Sequence, residues 1–254
     1  MFRPRIIPCL LLKDRGLVKT VKFKDPRYIG DPINAVKIFN DFEADELVFL
    51  DIDASKNNKT IDLDFVKKVG QEAFVPFAVG GGIKSTDQIK ALLNAGSEKV
   101  VINSSAIENS QLIKEASEIF GSQSIIASID VKKENGKYSV YGCGGTKKME
   151  LDLIDFAKKV EKLGAGEIMI NSIDLDGTME GFDIELIKSI TDNVKIPVIA
   201  VGGAGSLEDM KRAVEEGGAS AVSAGSIFVY SGKSKGILIN YPDKEDIEEI
   251  FSHR

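Results

Sequence analysis

The sequence predicts an α/β protein: a single (β/α)8 TIM barrel domain over residues 1–254, built from two repeated halves. Three observations carry that reading. Short apolar runs alternate with helical patterns from one end to the other, eight of each, as parallel strands joined by crossovers require. One stretch occurs twice, as PFAVGGGIKSTDQIKALLNAGSEKVVINSSA (76–106) and PVIAVGGAGSLEDMKRAVEEGGASAVSAGSI (197–227). A constant offset of 121 puts Pro76 on Pro197, Gly81 on Gly202, Gly82 on Gly203, Ser85 on Ser206 and Ser105 on Ser226, with no gap over 31 residues. Finally, 254 residues with 43% hydrophobic content suit the size and core of such a barrel. An open doubly wound sheet has the same element count. The duplication favours closure, because two equal halves complete each other and leave no edge.

Taken in order, strands are expected at 6–11 (IIPCLL), 47–51 (LVFLD), 77–79 (FAV), 100–102 (VVI), 125–130 (IIASID), 168–171 (IMIN), 198–200 (VIA) and 221–223 (AVS). Helices are expected at about 32–43, 60–72, 86–95, 108–119, 152–163, 183–191, 207–216 and 244–252. Two connections are longer than the rest, 12–31 after the first strand and 132–150 after the fifth. Both are basic and follow a strand, so both belong to the face where barrel active sites form. Asn135-Gly136 marks a hairpin turn in the second. Long connections over a barrel mouth read as lids, or more plainly as solvated excursions.

Composition excludes several functions. The net charge of −6 argues against nucleic-acid and membrane-surface partners. No apolar run approaches the roughly 20 residues of a bilayer span, and the start lacks a signal-peptide pattern. Cys9 and Cys143 are too few for a disulfide framework or zinc site, which points to free thiols in a reducing, cytoplasmic setting. His253 is the only histidine, so no His-based triad or metal centre is expected, and no cofactor is implied.

Three constellations carry chemistry. The glycine turns come first. Gly80-Gly81-Gly82 and Gly202-Gly203 each end a strand and precede a helix, where backbone N–H groups face an anion at close range. Asn103-Ser104 and Ala224-Gly225 end the following strands, and Gly177 lies one loop before the second turn. Taken singly these are tight-turn glycines; two matching cradles across one barrel suit a ligand with a phosphate at each end. Next, IIPCLLLK (6–13) aligns with IIASIDVK (125–132) at an offset of 119, so Asp130 at the fifth strand's end faces Leu11 at the first. An acid/base pair across the mouth needs a carboxylate at both places. Asp130 is then half of such a pair, or a loop cap. Asp51, Asp53, Asp174 and Asp176 cluster at strand ends two and six, to hold ligand hydroxyls or brace loops. Last, Glu46, Lys99 and Glu167 stand just before strands two, four and six, with Arg5 before strand one. They form either a salt-bridged, solvated barrel bottom, which spacing alone favours, or a polar ring around an axial passage.

RIIPCL, GDP (30–32), DELVFLDI, VGGGI, FGSQ (120–123), GAGEI, SIDLDGT and GGAG are collinear over essentially the whole chain. On these motifs the sequence resembles the HisF family, the cyclase subunit of imidazole glycerol phosphate synthase. The resemblance implies a HisH-like glutaminase partner at the N-terminal face of the barrel. It implies an ammonia gate of Arg5, Glu46, Lys99 and Glu167, phosphate contacts at Gly81, Gly82, Asn103, Ser104, Gly177, Gly202, Gly203, Ala224 and Gly225, and a mobile-loop lysine at Lys19. The family's cyclase uses aspartates at the ends of strands one and five; here the first is Leu11. Asn171 and Val201 stand where threonine and serine are expected. The sequence is similar to a divergent second-copy branch associated with surface-polysaccharide sugar amidation. That implies a subunit that binds a phosphorylated or nucleotide-sugar ligand and passes ammonia onward, with a sugar amidotransferase as a further partner. The alternatives are a genuine cyclase, a lyase of histidine biosynthesis with Asp130 and Asp176 sharing the work, and a scaffold that only activates a glutaminase.

Overall fold

A computed structural model describes residues 3–232 and 235–252; His253 lies outside them. The apolar runs form eight parallel strands: β1 (Arg5–Lys13), β2 (Leu47–Asp51), β3 (Phe77–Gly80), β4 (Lys99–Ile102), β5 (Ile125–Glu134), β6 (Glu167–Ser172), β7 (Val198–Val201) and β8 (Ala221–Ala224). Each pairs with the next, and β8 returns to β1 with Ile6 opposite Val222, so the sheet closes into a barrel. Both faces of every strand are covered, which is why these runs are apolar throughout rather than alternating. Ile7, Cys9, Val48, Ala78, Ile126, Met169 and Ile199 fill the interior. Ile6, Leu10, Leu47, Phe49, Phe77 and Val79 point outward under the helices.

The helices are α1 (Pro32–Asp41), α2 (Leu63–Glu72), α3 (Thr86–Asn94), α4 (Gln111–Phe120), α5 (Leu153–Lys162), α6 (Ile184–Thr191), α7 (Leu207–Glu215) and α8 (Lys244–Ser252). Their starts are set by side chains that accept from otherwise unpaired N–H groups. Asp62 caps α2, and the matched serines Ser85 and Ser206 cap α3 and α7 through Gln88 N and Asp209 N. Asp62 takes α2's cap position, so the helix starts later than the expected 60. The helix expected at 108–119 divides into a short turn, Ser104–Glu108, and α4, because Asn109 leaves helical geometry. A second short helix, Ser226–Val229, follows β8 at the equivalent place. The repeat therefore extends to a strand followed by a one-turn helix in each half.

The connection 12–31 is not a loop. β1 continues to Lys13 and folds back through strands Gly16–Val21 and Lys24–Gly30, with Leu11 opposite Val18. The turns place Asp14-Arg15 and Lys22-Phe23 at positive φ, as tight hairpins demand. The ribbon's base is buried on both faces, by the paired Leu12 and Leu17 on one and the paired Leu11 and Val18 on the other. β5 likewise runs past Asp130 and returns as Lys137–Gly142; Asn135 and Gly136 both have positive φ at its turn. Among the described residues no helix is long and apolar enough to cross a membrane.

Candidate functional site

One elongated cavity opens at the C-terminal ends of the strands, where parallel barrels expose their loop ends. The cradle residues line it, apart from Gly80, which ends its strand beneath. At one end are Gly81, Gly82, Asn103 and Ser104; at the other, Gly177, Gly202, Gly203, Ala224 and Gly225. The glycines are obligatory for close packing as well as suited to anions. A Cβ on Gly82 would stand 1.8 Å from Lys59 O, and one on Gly203 1.9 Å from Gly181 O. These equivalent collisions with a loop carbonyl explain why the two turns match.

The ends of the cavity differ. At the first, Asn103 Nδ2 donates to Ser128 O (3.0 Å), and Cys143 N in the second ribbon donates to Ser104 Oγ (3.3 Å). At the second, Lys19 reaches from the first ribbon with only 5% exposure, and a Cβ on Gly225 would lie 1.9 Å from its Nζ. The lysine ammonium therefore lies against the second cradle. The ribbon is held down by Thr20 Oγ1 donating to Asp176 Oδ2 (2.9 Å) and Lys22 N donating to Asp176 O (2.8 Å). Both ribbons are thus pinned against the mouth. The basic second ribbon is anchored by Lys133 Nζ on Glu185 (2.6 Å) and Tyr138 Oη on Asp183 (2.9 Å).

Asp130 lies between the cradles at the level of Leu11, Asn171 and Val201, and all four line the cavity. Burial pushes its carboxyl up to about 7; the nearby Asp176 adds to the rise, and a hydrogen bond from Asn171 opposes it. Asp130 is therefore not a cap. The other aspartates brace loops: Asp51 accepts from Asp53 N and Ala54 N, Asp174 accepts from Lys133 N, and Asp53 pairs with Lys13 and Lys56. Asp176 does the same for the first ribbon while facing Asp130. Two further polar atoms in this cavity wall, Asn171 Oδ1 and Ser226 Oγ, are buried without a partner. Ser226 aligns with Ser105 in the repeat, a signal available in the sequence; the Thr20–Asp176 contact had none.

At the barrel's other end, Arg5, Glu46, Lys99 and Glu167 meet in a closed ring. Arg5 Nη1 bonds Glu46 and Nη2 bonds Glu167. Lys99 Nζ is 3.0 Å from Glu46 Oε1 and 3.3 Å from Glu167 Oε2. Each acid holds both bases. Burial works against the Arg5 charge, but Glu167 and Glu46 more than offset it, so its pKa is raised. Glu46 is 2% exposed and Glu167 9%, so the acids are buried, while Arg5 and Lys99 keep contact with solvent at the barrel bottom. Above the ring the interior is mostly apolar up to Asp130, with the buried hydroxyls of Ser128 and Ser223 among its inward-facing side chains.

The pattern of histidine biosynthesis proteins matches residues 5–235 of this chain. A protein of Leptospira borgpetersenii, provisionally named imidazole glycerol phosphate synthase subunit HisF, is 50% identical over 253 residues, covering 99% of this chain and 100% of that protein. One of Pseudomonas aeruginosa, provisionally named as subunit hisF2 of the same synthase, is 49% identical over 98% of this chain and 99% of its own length. The imidazole glycerol phosphate synthase subunit HisF of Alkaliphilus metalliredigens is 46% identical over 91% of this chain and 92% of its own length. With Leu11 at the mouth and the closed four-charge ring beneath it, the chain belongs to the histidine biosynthesis protein family, as a divergent HisF-type subunit.

Proposed function

We propose that this chain, one barrel domain, is the ammonia-conducting subunit of a glutamine-dependent amidotransferase. A glutaminase docks at the N-terminal face and releases ammonia beneath the ring of Arg5, Glu46, Lys99 and Glu167. The ring opens by exchanging ion pairs, and ammonia crosses the mostly apolar interior to the mouth. There a ligand carrying phosphate, either a small bis-phosphate or a nucleotide-sugar, spans the two cradles under the Lys19 ribbon and signals occupancy to the glutaminase. The observation that carries this reading is the pairing of an intact ring with Leu11 opposite Asp130. A leucine transfers no proton, and losing one general acid or base typically costs about 10²–10⁴ in rate. The conducting parts are thus kept where the cyclase parts are not. The ammonia then serves sugar amidation in surface-polysaccharide assembly, through a separate amidotransferase in the cytoplasm.

The test supplies purified protein with ammonia and the bis-phosphate ribonucleotide substrate of imidazole glycerol phosphate synthase. No imidazole glycerol phosphate is expected, and turnover at an ordinary enzyme rate sinks the proposal. A genuine cyclase is the second reading, favoured by Asp176 facing Asp130; growth rescue of a strain lacking the cyclase supports it. A pure scaffold is separated by a bulky substitution at Lys99: it keeps glutaminase activation and loses no ammonia-dependent product.

A further inference from the structure

The centre of the mouth holds a feature that neither phosphate binding nor proton shuttling uses. Asn171 is 8% exposed and lines the cavity. Its side-chain amide stands beside the Asp130 carboxyl and steadies the charged form, while its Oδ1 is buried with no donor. A Cβ on Gly202 would stand 2.8 Å from that oxygen, so the backbone backs it closely. An unpaired buried acceptor costs about 1–3 kcal/mol, and calls for a donor from a ligand. A phosphate dianion, which only accepts, cannot supply it. The same cavity wall carries Leu11, Leu50, Val101 and Val201, with Ser128 two residues before Asp130. Asp176 and the Cys9 thiol, which burial pushes up to about 11, face Asp130, and Lys19 stands near Cys9 in the same cavity wall. With Asp130 ionised, two carboxylates, Asp130 and Asp176, face each other there with no cation between them that offsets both.

We propose that Asp130 and Asn171 form a holding site for ammonium at the mouth end of the barrel, with the Asp130 carboxylate and Asn171 Oδ1 as its hydrogen-bond acceptors. This rests on the conducting function above. Ammonium is a compact cation with donors only, which suits two acceptors in an apolar setting and supplies the missing positive charge. Arriving ammonia takes the proton from the neutral Asp130 acid: its lone pair forms the new N–H bond as the O–H bond breaks, leaving carboxylate and ammonium. The reverse transfer releases neutral ammonia to the acceptor. Leu11 then has a role, because an aspartate there would add a further anion to Asp130 and Asp176 and hold the cation too tightly to let it go.

The isolated full-length subunit tests this without any glutaminase. The carboxyl 13C resonance of Asp130, assigned with Asp130→Asn, is followed over pH in ammonium, sodium and potassium chlorides at equal ionic strength. Ammonium at ten times its half-saturating concentration is expected to lower the midpoint by about one pH unit, a tenfold rise in acidity, relative to sodium. Asn171→Leu is expected to abolish the difference between the salts. Identical midpoints in ammonium and sodium overturn the site. An equal effect of potassium makes it a general monovalent-cation site and overturns the ammonium assignment. Either failure leaves conduction standing, because no transport is measured.

Discussion

Replacing Asp130 with asparagine changes how stability depends on pH, and the direction follows from burial. The Asp130 carboxyl titrates near 7 in the fold against an ordinary 3.8. Below 3.8 both folded and unfolded chains carry the proton, and burial of this group costs nothing extra. As pH rises toward 7 the unfolded chain loses its proton while the folded one keeps it, so stability falls; above 7 the loss is complete. At about 1.36 kcal/mol per pH unit the full loss is roughly 4 kcal/mol. Asparagine keeps the shape and does not titrate, so Asp130→Asn escapes the loss. Urea unfolding of both proteins in sodium buffers between pH 4 and pH 8.5 measures the effect. The variant is expected to gain on the wild type by about 4 kcal/mol over that range, most of it between pH 4 and 7. A stability difference that stays constant with pH refutes the assignment of Asp130 as a buried, largely neutral acid.

Other substitutions address the remaining parts. Leu11→Asp restores a carboxylate across the mouth from Asp130, and is expected to raise cyclase turnover by about 10²-fold or more in an ammonia-dependent assay; no gain places the defect elsewhere, at Asn171 or Val201. Lys99→Ala leaves Glu46, 3% exposed at its side chain, with a single partner, and is expected to cost about 3 kcal/mol in urea unfolding. Gly203→Ala drives a methyl to 1.9 Å from Gly181 O at a φ of +113°; a loss of roughly 2 kcal/mol or more and weaker phosphate protection against thermal unfolding are expected. Thr20→Val removes the hydrogen bond to Asp176, worth about 1 kcal/mol, and is expected to speed proteolysis within the first ribbon roughly fivefold.

Much of this molecule is legible in one dimension because its determinants are local. Apolar runs of three to six residues that alternate with amphipathic segments read as strands buried on both sides, and the 121-residue repeat aligns Gly82 with Gly203 and Ser85 with Ser206 before any fold is known. Those positions matched because each half must solve the same turn against a loop carbonyl. The first ribbon was not legible: its turns use Asp14, Arg15, Lys22 and Phe23 at positive φ, residue types that do not announce a hairpin, and only Asn135-Gly136 did. The ring shows the limit most directly. The sequence places Glu46, Lys99 and Glu167 before alternate strands and Arg5 before the first, and there it leaves open whether water or protein surrounds them. Barrel closure decides it, by bringing Arg5 within bonding reach of Glu167, 162 positions away. The same closure puts Asp130 out of water and beside Asp176 and Asn171, three residues on different loops and strands. Residue type determined that a carboxyl and an amide are there; tertiary structure alone decided that the carboxyl is held neutral and that one amide oxygen lacks a donor, because solvation is a property of the assembled wall.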